Sequence, residues 1–167
     1  MQRRKALINA PAKTRFICET AVIAAIYCVL TLLLAPLSFG QIQLRVAEAL
    51  CVLPFFTPAA VPGLFIGCLI ANIFGSTLGL MDIIVGSLAS LAAAFLASKI
   101  KNKWLVPLPS VILNAFLVGW VLNTMLGLPY FINVLYVGVG QALACYAIGM
   151  PLLFILDKYK NRIFKRL

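Results

Sequence analysis

The chain has 167 residues, 63% of them hydrophobic and only 11% charged, with a formal net charge of +10. That apolar share is far above a soluble domain's and specifies a single integral membrane domain. The positive balance does not specify a nucleic-acid partner, because thirteen of the fourteen basic residues fall in three clusters beside apolar runs: Arg3, Arg4, Lys5, Lys13 and Arg15; Lys99, Lys101 and Lys103; Lys158, Lys160, Arg162, Lys165 and Arg166. Such clusters mark cytoplasmic loops facing anionic lipid.

Residues 1–15 read as a basic cytoplasmic tail. Phe16 to Ala35 is a first apolar span, too long for the core of a cleavable signal peptide and long enough, at ~1.5 Å per residue, to cross a ~30 Å hydrocarbon layer. Its single charge, Glu19, lies in the first turn near Arg15, where a carboxylate complements the helix dipole. Ala21 and Ala25, with Ala24 and Cys28 beside them, give a small-xxx-small face that a second helix can approach closely.

Pro36 to Gln43 is a break punctuated by Pro36 and Gly40. Leu44 to about Phe56 is a short second span, Ala60–Gly75 a third, Gly79–Ser98 a fourth, Val106–Leu126 a fifth and Tyr130–Leu156 a long sixth. Gly138, Gly140, Gly149 and Pro151 are positioned to bend the last. Residues 157–167 form a second basic tail. The second and third spans could also form one kinked helix, giving five spans, but five would carry the amino tail or both later basic clusters to the outside. Six spans, both termini cytoplasmic, is the expectation. Trp104 and Tyr159 suit the membrane interface.

The stretch from Pro36 to Asn72 holds Gln41, Gln43, Arg45, Glu48 and Asn72 among apolar residues and prolines. An ionisable group at mid-bilayer costs at least ~2.5 kcal/mol, so each is a candidate functional residue. On an α-helix Gln41, Arg45 and Glu48 would share one face at i, i+4 and i+7. With six spans, these residues together with Asp82, Asn114, Asn123, Asn133 and Gln141 concentrate in the outer half, around a pocket open to the exterior. Structural alternatives stand beside that reading. Arg45 and Glu48 can simply form a structural salt bridge with each other, Asp82 can cap a helix start, and Asn72, Asn114 and Gln141 can join helices. Asn114 and Asn123 lie on opposite helix faces.

Cysteines 18, 28, 51, 68 and 145 are scattered without ligand spacing, and there is no histidine. Neither a metal site nor a cofactor is expected. The chain lacks a GxxxxGK[ST] loop and a nucleophile–base–acid set, so neither ATP hydrolysis nor other catalysis is expected of it.

The runs PLSFGQIQLRVAEAL, LPFFTPAAVPGLFIGCLIAN and MDIIVGSLAS resemble the QueT family, the substrate-binding S components of energy-coupling factor (ECF) transporters. The resemblance extends from the first span to the fifth. It implies six helices, import of queuosine precursors (deazaguanine bases), and partnership with one transmembrane coupling protein and two cytoplasmic ATPases. It further implies that Ala21 and Ala25 dock the coupling protein and that the Pro36–Gln43 connection gates the pocket. A deazaguanine edge offers N–H donors and a carbonyl, which suits a carboxylate from Glu48 or Asp82 with Arg45, Gln43, Asn72 and Asn114 as donors or supports. Phe39, Phe74 and Trp120 are candidate stacking partners. The competing expectation is a self-sufficient secondary transporter coupled to protons through Glu48 or Asp82; uptake into liposomes without any ATPase would distinguish it.

Overall fold

A computed structural model of the chain describes residues 12–39 and 43–163, with side chains through residue 160. Gly40, Gln41, Arg3, Arg4, Lys5, Lys165, Arg166 and the side chain of Arg162 lie outside the described residues. Among those described, every regular element is helical. The elements are α1 (Ala12–Leu33), a one-turn α2 (Ala35–Ser38), a 3₁₀ helix (Val46–Phe55), α3 (Ala60–Gly75), α4 (Leu80–Lys99), α5 (Leu108–Leu126), α6 (Tyr130–Ala142), a π-helical segment (Leu143–Gly149) and α7 (Met150–Ile163). The stretches Ala12–Leu33, Leu80–Lys99, Lys103–Leu126 and Tyr130–Lys160 are long and apolar enough to cross a membrane. Val46–Phe55 and Ala60–Gly75 are apolar but shorter.

The helix boundaries follow local chemistry. Pro36 lacks the N–H that would continue α1, so the chain turns at Leu34 and restarts. Gly79 begins α4 at φ 72° and Gly127 ends α5 at φ 66°, left-handed positions natural to glycine. Pro151 stands just past the π-helical segment, where the widened turn accommodates its missing donor. The bend expected from Gly149 and Pro151 thus takes the form of an altered helical register.

The second span departs from its sequence reading. Residues 43–45 are irregular, Arg45 precedes the helix in extended backbone at φ −85°, ψ 92°, and the following ten residues are 3₁₀ rather than α. The α-helical face expected to unite Gln41, Arg45 and Glu48 therefore does not form, and Gln41 lies outside the described residues. A 3₁₀ run of ten residues is uncommon and needs tertiary support. That support comes from the π-helical segment. A Cβ added to Gly149 would stand 3.1 Å from the Ala49 carbonyl oxygen, and the Cys145 thiol lies 3.6 Å from the Glu48 carbonyl. The two irregular helices pack on each other at the centre of the molecule.

Close packing elsewhere uses glycine. The Gly63 and Gly67 pair in α3 lets α1 approach so closely that a Cβ at Gly67 would lie 2.8 Å from both the Ala24 carbonyl oxygen and Tyr27 Cβ. This is the small-xxx-small contact that joins two helices within the chain. Ala21 and Ala25 point the other way and are exposed, in company with Val22, Ile26 and Val29. The fold has two distinct ends. One gathers Phe39, Gln43, Ser76–Leu78 and Leu128–Pro129. The other holds the Lys99–Lys103 loop, where Lys103 pairs with Asp157 at 2.7 Å.

Candidate functional site

Six residues marked by the sequence, Gln43, Arg45, Glu48, Asn72, Asp82 and Asn114, are all buried. Five of them form two linked polar layers. The deeper layer centres on Glu48, which the first turn of the 3₁₀ helix sets in the middle of the bundle. Its carboxylate accepts hydrogen bonds from the Tyr27 hydroxyl of α1, from Ser90 of α4 at 3.4 Å and from Ser110 of α5 at 2.8 Å. Asn114 extends the layer, donating to Ser110 at 3.3 Å and to Gln141 of α6 at 3.4 Å. Three helices thus converge on one buried carboxylate. Three hydroxyl donors of this kind make the charge tolerable without a cation in contact.

The second layer centres on Arg45. Its guanidinium donates to Asn72 Oδ1 at 2.8 Å and to Cys68 Sγ at 3.4 Å. Asn72 in turn donates to the main-chain carbonyl of Asp82 at 3.2 Å. Asp82 sits in the first turn of α4 and accepts from the Ser76 hydroxyl, instead of capping the helix through its side chain. Phe39 covers the layer, its ring centroid 5.7 Å from the Arg45 guanidinium carbon. Two polar atoms here have no hydrogen-bond partner among the described residues, Arg45 Nε and Asp82 Oδ1. A buried unsatisfied group costs ~1–3 kcal/mol, more when charged.

Beside that layer, at the end of the fold remote from the Lys99–Lys103 loop, lies a cavity of about 190 Å³. Phe39 and Gln43 form one side, Ser76, Thr77 and Leu78 another, and Leu122, Ile132, Asn133 and Tyr136 of α5 and α6 close it. Of the six sequence-marked residues only Gln43 reaches the wall. Its backbone is left-handed, at φ 47°, which is unusual for a residue with a side chain and concentrates at functional positions. Ser76 belongs to both structures, as part of the wall and as the hydroxyl on Asp82.

Two proposed stacking residues are displaced from the site. Phe74 is 76% exposed and Trp120 is 43% exposed, and both face outward from the bundle. Each lies on the lipid-facing side of its helix, where an aromatic ring has no reason to turn inward. Phe39 is retained. The wall residues Ser76, Thr77, Leu78 and Tyr136 escaped the sequence reading, which weighed charge and amides and passed over hydroxyls. The turn signal Gly75–Gly79 following an intramembrane asparagine was the available clue. Among the described residues no cluster of three or more histidine, cysteine or acidic side chains is placed to hold a metal.

The chain matches the QueT transporter family over residues 17–158, which takes in both polar layers and every wall of the cavity. It is also 39% identical, over 82 residues, to the "Queuosine precursor transporter QueT" of Lactococcus lactis subsp. cremoris (strain MG1363). That alignment covers 48% of this chain and 47% of the relative, so it spans about half the length of each. No solved structure matches the chain significantly. With the match running from α1 to the start of the basic carboxyl-terminal segment, the chain belongs to the QueT transporter family, as a multi-pass protein of the cell membrane.

Proposed function

We propose that this protein is the substrate-binding component of an ATP-driven importer and that it captures a queuosine precursor, a deazaguanine base, in the cavity between Phe39 and Tyr136. The single observation that carries the reading is the cavity's position against a charged layer in which Arg45 Nε and Asp82 Oδ1 lack partners among the described residues. A deazaguanine presents adjacent N–H donors and a carbonyl. Asp82, reached through Ser76, accepts the donors, while the Gln43 amide can serve either side of the base edge. Phe39 offers an apolar face to the flat ring. Arg45, Asn72, Glu48 and Asn114 hold the layer in position from below. The relative's name supports this substrate class.

In this reading the chain crosses the membrane six times, with both termini and the Lys99–Lys103 loop in the cytoplasm. The short second span supports the count. Its ten 3₁₀ residues reach roughly 20 Å at ~2.0 Å rise, farther than an α-helix of the same length at ~1.5 Å, and residues 43–45 lengthen it further. The cavity then opens outward, where a scavenged base arrives. The chain has no phosphate-binding loop, so energy comes from partners: a transmembrane coupling protein and two cytoplasmic ATPases. Exposed Ala21 and Ala25 on α1 provide the docking face.

The test is capture of 7-deazaguanine by the purified protein, followed by uptake into liposomes with and without the ATPase module. Saturable binding with module-dependent uptake supports the proposal. Uptake by the chain alone would make it a secondary transporter instead.

A further inference from the structure

We propose that Tyr27 is a positioning residue, which ties α1 to the ligand site by holding the carboxylate of Glu48. The ligand part of this inference rests on the functional reading above; the mechanical part does not. Tyr27 is among the largest fully buried side chains in the protein. It lies on the face of α1 turned away from exposed Ala21 and Ala25 and donates its hydroxyl to Glu48.

The rest of α1 explains why that bond matters. Farther toward its amino end, Thr20 donates to the Ala59 carbonyl at 3.2 Å, and Glu19 accepts from Thr57 at 3.0 Å. Glu48, Thr57 and Ala59 all belong to the 3₁₀ helix or the short turn that follows it. These three polar bonds from α1 are directed at one segment, at its first turn and beyond its last. The most extensive contact of α1 is the glycine-lined face of α3, which is apolar. Glu48 then divides its carboxylate between α1 through Tyr27, α4 through Ser90 and α5 through Ser110. A displacement of α1 must move this carboxylate or break the Tyr27 bond. Ligand seating that shifts the upper layer is felt by α1 along the same route.

Amide hydrogen exchange on the full chain in lipid nanodiscs tests this. Tyr27→Phe removes one oxygen atom and no packing carbon. The expected result is exchange several-fold faster in Val46–Phe55 as well as in α1 around residue 27, with no added effect when Glu48→Gln is combined with it. Glu48→Gln alone reports from the other side, accelerating exchange in α1. Unchanged exchange in Val46–Phe55 for Tyr27→Phe, together with unchanged α1 exchange for Glu48→Gln, would overturn the proposal. In a second arm, 7-deazaguanine should slow exchange in α1 of the wild type and not of Tyr27→Phe. Slowing confined to the cavity loops in the wild type would refute the link to the ligand. No slowing anywhere would refute the ligand assignment, while the ligand-free arm still decides the role of Tyr27.

Discussion

Arg45 and Glu48 stand three residues apart in a buried segment and do not form an ion pair with each other. Arg45 is bonded to Asn72 and Cys68, and Glu48 to Tyr27, Ser90 and Ser110. The separation arises because Arg45 precedes the helix in extended backbone while Glu48 lies inside it. Each charge is solvated by neutral polar groups, and the charges act on one another through the buried interior. Two acidic side chains, Glu48 and Asp82, thus share one cation.

This sharing sets the first prediction. Arg45→Met removes the only buried cation among them and leaves two carboxylates uncompensated. It should lower stability by ~3–5 kcal/mol, the cost of stranding buried charge. Adding Asp82→Asn should recover part of that loss, because it removes one stranded charge. Chemical unfolding in mild detergent measures both. A double variant less stable than Arg45→Met would show that Asp82 is not balanced by Arg45.

Gln43 is the second test. A left-handed backbone costs a residue with a side chain ~1–2 kcal/mol, whereas glycine bears ~0.5–1 kcal/mol in lost chain entropy. Gln43→Gly should therefore leave stability unchanged or raise it by up to ~1 kcal/mol. The same change removes an amide from the cavity wall and should weaken 7-deazaguanine binding about tenfold, or ~1.4 kcal/mol. Thermal unfolding and calorimetric titration on one sample separate the two effects. A parallel loss of both would mean that the side chain supports the fold.

Helix packing gives the third. A Cβ at Gly67 would meet Ala24 and Tyr27 at 2.8 Å, whereas one at Gly138 has its nearest neighbour, Ala115 Cβ, at 3.5 Å. Gly67→Ala should destabilise by ~1–3 kcal/mol, as overpacking does. Gly138→Ala should be neutral or slightly stabilising, since alanine is the better helix former. Equal melting temperatures for the two variants would argue against the close α1–α3 contact.

The sequence made the helical class legible through apolar content alone, and it made the buried polar set legible because charge in an apolar run is conspicuous. All six marked residues are buried. Their arrangement was not legible. Periodicity of 3.6 assumes an α-helix, and Val46–Phe55 obeys 3₁₀ geometry imposed by Gly149 and the π-helical segment, which are far away in the chain. The cavity wall was hidden for a related reason. Ser76, Thr77 and Tyr136 are ordinary membrane residues until loops bring them beside Phe39 and Gln43.

The exposed face of α1 supplies the fourth prediction. Ala21→Trp combined with Ala25→Trp fills the proposed docking surface without touching the cavity. Affinity for 7-deazaguanine should stay near wild type, while ATP-dependent uptake and co-purification with the coupling module should be lost. Normal uptake by this variant, with the module still bound, would move the docking surface elsewhere.

The most direct measurement is calorimetric titration of 7-deazaguanine into the purified wild type and into Asp82→Asn, each first shown to be folded. Asp82 holds the wall residue Ser76 through one carboxylate oxygen and has no partner for the other among the described residues, and a hydrogen bond to a charged acceptor contributes ~1.5–3 kcal/mol. The account predicts saturable binding at one site in the wild type and affinity weaker by at least about tenfold in the variant. Absence of saturable binding in the wild type, or equal affinity in the two proteins, would contradict it.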